Sequence, residues 1–573
     1  MKKTYKKLFT FFLIISLIAS SIMVFADSGD LLKEPELKTK DTEKLVTMEK
    51  NMDYDGNKLF DILETKLGEA SDSDKLPVVV MYNENLDSDK KAVVEKLTGQ
   101  EKPKHEFITT PGMAVDLTKK QIQELSKQGF VKQIEYDLPV YALNDEATYW
   151  FGVQKAVSDF GADGDMDGNL KSYSPGDIVV AVIDTGIDTG HVDLDGGKVI
   201  GWMDFINGQT SPYDDNGHGT HCSSIAAGEG DGNPVYKGVA PGAALVGVKV
   251  LDSQGSGYMS DVTAGIDWVT ANKDTYGVEI ISLSLGTSTS SDGTDSTSLA
   301  VNNAFNNGIV VCVAAGNSGP AKYTIGSPGA ADKALTVAAM ADAGEMGFNL
   351  AYFSSRGPTA DGRIKPDIAS PGYNITAAKA GTVDGYVQYS GTSMATPFTA
   401  GTVALMLDAN PGLTPTDVVN TITNTAEDWG PANKEIDYGF GRLDAYEAVK
   451  AAGGFSSVGI ETPAHLYGED SLSTRRVSDY WEFNLTDISY PIAITLIMTD
   501  WTSSTKPDFD IYLYNPNNTL VKSATGSSRQ ETINFTPTMT GKYTIRVYSY
   551  AGSGNYYFDL SAGGESLILT TNN

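Results

Sequence analysis

A chain of 573 residues with only two cysteines has room for several domains and cannot rest on a disulfide framework, so its stability must come from buried core. Its 73 acidic residues against 43 basic ones give a formal charge of −30, a surface that repels nucleic acid and attracts cations. Those numbers exclude a nucleic-acid-binding protein and a small disulfide-stapled module.

Residues 1–26 read MKKTYKKLFTFFLIISLIASSIMVFA: Lys2, Lys3, Lys6 and Lys7, then an almost unbroken apolar run from Leu8 to Phe25. Val24 and Ala26 are small residues at signal-peptidase spacing, and polar, acidic sequence follows at once. No other apolar run approaches the ~18 residues of a membrane span, so a removed signal peptide and a secreted, extracellular product are expected rather than an anchor. Residues 27–75 form an acidic pro-segment expected to be loosely ordered. Within it Asn51, Asp53 and Asp55 alternate before Gly56, with Asp61 and Glu64 downstream. This resembles the start of an EF-hand-type calcium loop, although Ile62 stands where the closing Glu would be. An acidic turn is the alternative.

Residues 76–143 give strand LPVVVMY, helix DSDKKAVVEKLTG, strand pair HEFITTPGMAVDL, helix TKKQIQELSKQG and last strand VKQIEYDLPVYAL. That β-α-β-β-α-β order predicts a small ferredoxin-like α+β module. From 144 to 453 strands apolar on both faces (DIVVAVID, ALVGVKVL, VEIISLSLG, GIVVCVAAGN) alternate with helical stretches such as HCSSIAAG and SDVTAGIDWVTANK, which predicts an α/β domain with a buried parallel sheet. Near its start Asp163, Asp165 and Asp167, followed by Gly168 and Asn169, make a second acidic loop, with Ser174 in place of the closing Glu. Residues 454–573 are rich in Thr, Ser and Tyr, and their short alternating segments (DYWEFNL, IAITLIM, GKYTIRVYSY) predict an all-β sandwich. There KPDFDIYLYNP offers Asp508 and Asp510 as calcium ligands.

The chemistry-bearing residues recur at the ends of these elements. Asp184 closes the strand of AVIDTGID, at the carboxyl edge where groups of open α/β sheets gather. His218 sits between glycines at a helix start in DDNGHGTHCSSIAAG, which holds two of the chain's five histidines. Asn317 closes the strand of IVVCVAAGN, and Ser393 in YSGTSMATPFTAG opens another helix. Singly, each reads as a turn or cap residue. Jointly, they supply a hydroxyl, the imidazole it needs, a carboxylate and an amide donor.

The motifs DTGID (184–188), NGHGTHC (216–222), SLSLG (282–286), AAGN (314–317) and GTSMATP (391–397), in the order Asp, His, Ser, resemble those of the subtilisin-like serine proteases, the subtilases. The resemblance implies a subtilisin-like catalytic domain in which Ser393 attacks, His218 moves the proton and Asp184 orients the imidazole, while Asn317 and the Ser393 N–H bind the oxyanion. It also implies a backbone channel for substrate made by Gly255, Ser256 and Gly257 on one side and Ser284, Leu285 and Gly286 on the other. Gly286, Ala314, Ala315 and Gly326 would line the primary pocket, with Gly316 beside them. None is acidic, so broad cleavage after large apolar residues is expected. Cys222, one helical turn past His218, is either a small buried hydrophobe or, as in thiol-dependent relatives, a thiol beneath the imidazole through which mercurials inhibit. Met394, beside the nucleophile, is expected to be oxidation-sensitive.

The sequence departs from the family at Phe398-Thr399 and in the loop GEGDGNPVYKGVAP, which leaves Asp193, matching a calcium ligand of relatives, short of partners. Residues 76–143 resemble the inhibitor-like propeptide of subtilases, implying self-cleavage at Leu143–Asn144 with VYAL left in the active site. Residues 454–573 resemble a pre-peptidase-type β-domain. The expected protein is a calcium-stabilised, secreted, monomeric endopeptidase without organic cofactor. It acts on proteins or peptides, has its own propeptide as intramolecular inhibitor, and neither binds nucleic acid nor stays in a membrane. A processing protease for one partner protein, and an inactive fold used for adhesion, are the alternatives.

Overall fold

The computed structural model describes residue 53 and residues 56–571 apart from 72–73, 100–101, 138, 143–146, 345, 503 and 565–568. The expected signal peptide, Asn51, Asp55 and the expected cleavage pair Leu143 and Asn144 lie outside the described residues. Among the described residues no helix is long and apolar enough to cross a membrane.

The N-terminal module opens with helix α1 (Asp61–Glu69), a correction to the loose order expected through residue 75. The helix forms because Leu63 and Leu67, one turn apart, bury against Leu59, Ile134 and their neighbours. Then come β1 (Lys75–Tyr82), α2 (Ser88–Thr98), β2 (His105–Glu106), β3 (Gly112–Thr118), α3 (Lys119–Ser126) and β4 (Val131–Tyr136). Asp87 caps α2 by accepting from Lys90 N, and Thr118 with Gln121 forms a capping box on α3. The strands pair antiparallel in the order β2-β3-β1-β4. The predicted last strand is in fact two. It breaks at Asp137, and β5 (Pro139–Ala142) leaves for a different sheet.

The central domain contains α4 (Val153–Phe160), β6 (Val179–Asp184), β7 (Val199–Asp204), α5 (His218–Ala227), β8 (Ala244–Lys249), β9 (Ser256–Tyr258), α6 (Met259–Tyr276), β10 (Val278–Leu283), β11 (Leu285–Gly286), α7 (Ser296–Asn306), β12 (Val310–Ala314), β13 (Leu335–Met340), β14 (Ile368–Pro371), β15 (Ile375–Ala378), β16 (Tyr386–Tyr389), α8 (Thr392–Ala409), α9 (Pro415–Asn424) and α10 (Ala445–Gly453). Seven parallel strands run β14-β13-β12-β10-β6-β8-β7. Both faces are covered: α4, α5 and α8 to α10 share one core with the sheet, and α6 and α7 share the other. That double burial is why the strands read as continuous Val/Ile/Ala runs.

Nine strands between Ala464 and Thr571 form a four-stranded and a five-stranded antiparallel sheet around one core. Its Ile497 and Tyr557 join the core of the central domain. The junction also buries charge. The Arg529 guanidinium donates twice to Asp437, at 2.5 and 2.8 Å, while Arg356 pairs with the same carboxylate at 3.2 Å. The Tyr557 hydroxyl donates to it as well, at 2.9 Å.

Candidate active site

Asp184 ends β6, an interior strand flanked by β10 and β8, and His218 occupies the first turn of α5. A Cβ on Gly219 would lie 2.2 Å from the carbonyl oxygen of Gly186, so only glycine lets α5 approach this closely. The imidazole Nδ1 is 2.6 Å from Asp184 Oδ1, with both residues buried. Burial pushes the ring's pKa down, but the carboxylate beside it and the thiol of Cys222 outweigh burial and hold it well above the ordinary value. Cys222 Sγ lies 3.8 Å from both ring nitrogens, and burial lifts this thiol above its usual range. His221, the second histidine of the motif, faces elsewhere. It bonds to Val387 O at 3.1 Å, and burial drops it to about 3.

Ser393 is the second residue of α8, and Pro397 lies one turn further on. A proline has no N–H, so the carbonyl of Ser393 loses its helical partner. That carbonyl instead accepts from Ser284 Oγ at 2.6 Å and from the Cys222 thiol at 3.5 Å, which ties α8 to β10–β11 and to α5. The exchange is reciprocal, because Ser393 Oγ donates to Ser284 O at 2.7 Å. Asn317 follows β12, and its Oδ1 accepts from Thr392 N at 3.0 Å and Thr392 Oγ1 at 2.9 Å. With the oxygen so held, the amide's NH2 is its free face for a ligand.

Strand β5 runs antiparallel between β9 and β11. Val140 faces Gly257, Tyr141 faces both Ser256 and Gly286, and Ala142 faces Leu285. On the β9 side the residues paired with β5 are 256–258, one position on from the expected 255–257. Gly255 sits in the preceding turn, donating to Asp252 O, whereas Tyr258 pairs with Pro139. Ala315 forms a small apolar cluster with Ile325 and Ala330, next to Gly326. The β11 segment is joined to this loop by Thr287 N donating to Ser327 O at 2.8 Å. Ala314 ends β12, and Gly316 N donates to Thr392 Oγ1.

The N-terminal module grips α6 and α7. Lys104 Nζ and His105 Nε2 each lie 2.7 Å from Asp261. The Asp267 carboxylate accepts from the backbone of Ile108, Thr109 and Thr110. Asp137 accepts from Ser260 N at 2.5 Å and from its hydroxyl, at the start of α6, and Glu135 accepts from Ser296 N at 2.6 Å, at the start of α7. Nothing in the sequence flagged these contacts, which join residues 123 to 161 positions apart.

Of the candidate metal ligands, Asp165 and Asp167 come together with Asp177, and their carboxylate oxygens lie within 4.8 Å of one another. Three hard oxygen donors fit calcium. Asp163 and Asn169 are not in that group. Asp163 Oδ1 caps Asp165 N, and Asn169 N donates to Asp167. Asp53 closes its turn by accepting from Asn57 N and Lys58 N, and Glu64 accepts from Asn57 Nδ2, while the side chain of Asp61 lies outside the described residues. Asp508 Oδ1 is buried without a hydrogen-bond partner, and Asp510 accepts from the Tyr512 hydroxyl. Asp193 takes the Tyr386 hydroxyl, at 3.0 and 3.1 Å, together with Gly232 N.

The Subtilase family profile matches residues 176–441. Serine protease AprX of Bacillus subtilis (strain 168) is 40% identical over 347 residues, 57% of this chain and 76% of that protein. The chain belongs to the subtilase family. Like its relatives, this subtilase is a serine endopeptidase. Its N-terminal module matches the Tk-SP N-propeptide domain over residues 54–121, and its β-domain matches the bacterial pre-peptidase C-terminal domain over 477–549. Subtilisin DY of Bacillus licheniformis is 35% identical across 49% of the chain and 93% of its own length. Subtilisin E of Bacillus subtilis (strain 168) is 32% identical, across 63% and 86%.

Proposed function

We propose that this subtilase is an exported, self-processing endopeptidase of broad specificity in which Ser393, His218, Asp184 and Asn317 carry the reaction. The observation that carries the reading is the 2.6 Å His218–Asp184 contact on the same sheet edge as the helix start bearing Ser393. Ser393 Oγ attacks the peptide carbonyl as His218 Nε2 takes its proton and then gives it to the leaving amine. Asp184 keeps the proton on Nδ1 and stabilises the imidazolium. The carbonyl oxygen becomes an oxyanion received by Asn317 Nδ2 and Ser393 N–H, and losing one such donor costs a subtilisin about 10²–10³ in turnover.

Substrate takes the place of β5, bonded by its backbone to β9 and β11, so affinity does not depend on side-chain identity. The small apolar residues Ala314, Ala315 and Gly326 favour a large apolar side chain before the cut. Strand β5 is the product end of the propeptide, cut after Leu143 and leading into residues 144–453 as the mature catalytic domain. Calcium held by Asp165, Asp167 and Asp177 would neutralise that acidic loop and pin it to the start of β6, a structural contribution. A fluorophosphonate labelling Ser393 in the wild-type chain but not in a His218→Ala chain supports the reading. An unlabelled wild type, or a Ser393→Ala chain secreted already cut, overturns it. Casein reduced to many fragments supports broad specificity against a single-partner processing role.

A further inference from the structure

Beneath the site lies a fully buried lysine that the proposed mechanism does not use. Lys249 ends β8 directly opposite Asp184 in the parallel register. Its ammonium meets three acceptors with its three protons: Thr185 O at 2.5 Å, Asp215 Oδ1 at 2.6 Å and Leu251 O at 2.8 Å. Burying an ammonium is expensive, and a methionine of similar length would fill the same space without that cost. The charge therefore needs a reason, and its partners supply one.

Thr185 follows Asp184 in the chain. Its carbonyl is held by Lys249, and its hydroxyl donates to Asp214 Oδ1 at 3.0 Å while accepting from Gly219 N at 2.8 Å. Asp214 in turn takes the first amides around α5: Gly217 N at 2.8 Å, Asn216 N at 3.1 Å, Thr220 N at 2.9 Å and Thr220 Oγ1 at 2.7 Å. The segment bearing these acids also touches the strand end, since a Cβ on Gly186 would stand 2.1 Å from Tyr213 O. Thr185 and Asp214 join the end of β6 to the start of α5, the Lys249–Asp215 pair braces both, and Asp188 N adds a direct bond to Thr220 Oγ1 at 2.9 Å.

We propose that Lys249 is a positioning residue for catalysis, acting with Asp214 and Asp215 through Thr185 to fix Asp184 against His218. The inference rests on the roles given above to those two residues and to Ser393. Lys249 differs from a merely stabilising lysine in what it ties together. One partner is the residue next to the carboxylate, and another lies three positions before the histidine. Its third bond, to Leu251 O, reaches the turn that opens β9, where Asp252 N donates to Ser256 O. A misplacement of about 1 Å between reacting groups can cost ~100-fold in rate, so a loosened clamp registers in turnover.

The test measures steady-state kinetics on a tetrapeptide substrate, with active centres counted by fluorophosphonate so that unfolded molecules drop out. Lys249→Met removes the charge, Thr185→Val removes the bridging hydroxyl at constant shape, and Asp215→Asn weakens the clamp from its partly exposed end. In the first two, kcat per titrated centre is expected to fall about 10- to 100-fold with KM held within about twofold. In the third, kcat falls by a smaller factor in the same direction. If Lys249→Met does not fold, the other two variants carry the test alone. Turnover per centre within twofold of wild type in Thr185→Val and Asp215→Asn overturns the proposal. So does a rise in KM at unchanged kcat, which would assign Lys249 to the substrate strand. A wild-type chain inert to the fluorophosphonate defeats the underlying catalytic reading instead, so the two failures are distinguishable.

Discussion

Two carboxyl groups of the propeptide module, Glu135 and Asp137, are buried against helix starts of the catalytic domain, and this makes the grip pH-dependent. Burial raises Asp137 from the ordinary 3.8 to about 6, against the opposing hydrogen bonds from Ser260 and the pull of Lys104. Burial, with Asp295 nearby, raises Glu135 well above its ordinary value too. A carboxyl raised on docking takes up a proton as it docks. The docked form is therefore favoured most below about pH 4, and the advantage is lost as pH climbs through about 6. For Asp137 alone the change is about 3 kcal/mol, on the order of 100-fold in affinity. The assay is inhibition of the mature enzyme by the propeptide supplied in trans, from pH 5 to 8, with Asp137→Asn as control. The inhibition constant should rise with pH in the wild type, and less steeply in the variant, whose amide has no proton to lose. A flat profile, or a variant with the wild-type slope, would refute the reasoning.

Four further outcomes are expected. The acid limb of kcat/KM should have its midpoint above 6.5, because the Asp184 carboxylate overrides burial at His218 and protonated imidazole is inactive; a midpoint at or below 6.5 contradicts the assignment. Asp437→Asn should cost about 3–5 kcal/mol in calorimetry, since Arg529 and Arg356 would be left buried with a weakened partner; a loss under about 1 kcal/mol would show the β-domain junction is not held by this carboxylate. A mercurial should abolish activity while iodoacetamide does not, because burial lifts the Cys222 thiol above its usual range, and Cys222→Ala should be indifferent to both. Asp177→Asn should weaken calcium binding by about tenfold in titration calorimetry, and an unchanged isotherm would remove Asp177 from the ligand set.

The parallel sheet was legible because its strands are buried on both faces and so advertise themselves as apolar runs. The candidate site was legible because Asp184, His218, Asn317 and Ser393 stand where polar residues interrupt those runs beside glycines. What stayed hidden depends on partners far away in the chain. Lys249 reads as one polar residue in VGVKVL, and nothing local says that it reaches the backbone after Asp184. Asp177 lies beyond the acidic loop it completes, outside any loop motif. The break at Asp137 was hidden because the apolar alternation continues through VYAL. Only the pairings far along the chain, Tyr136 with Val78 and Val140 with Gly257, show that two sheets share the segment.

The same distant contacts bear on how the N-terminal module would restrain the enzyme under the proposed function. With β5 in the channel, the imidazole already touches its carboxylate, and Asn317 already has its oxygen committed to Thr392. For the proposed reaction the Ser393 hydroxyl must turn, because it donates to Ser284 O. Turning it toward His218 exchanges one hydrogen bond for another, a difference of about 1 kcal/mol at most. The Ser393 carbonyl does not move with it, because Pro397 has released that oxygen to Ser284 Oγ and Cys222. Under the proposed function, inhibition would therefore be occupancy rather than distortion. On that reading β5 holds the strand position between β9 and β11 that substrate would take, beside a His218–Asp184 pair already in contact.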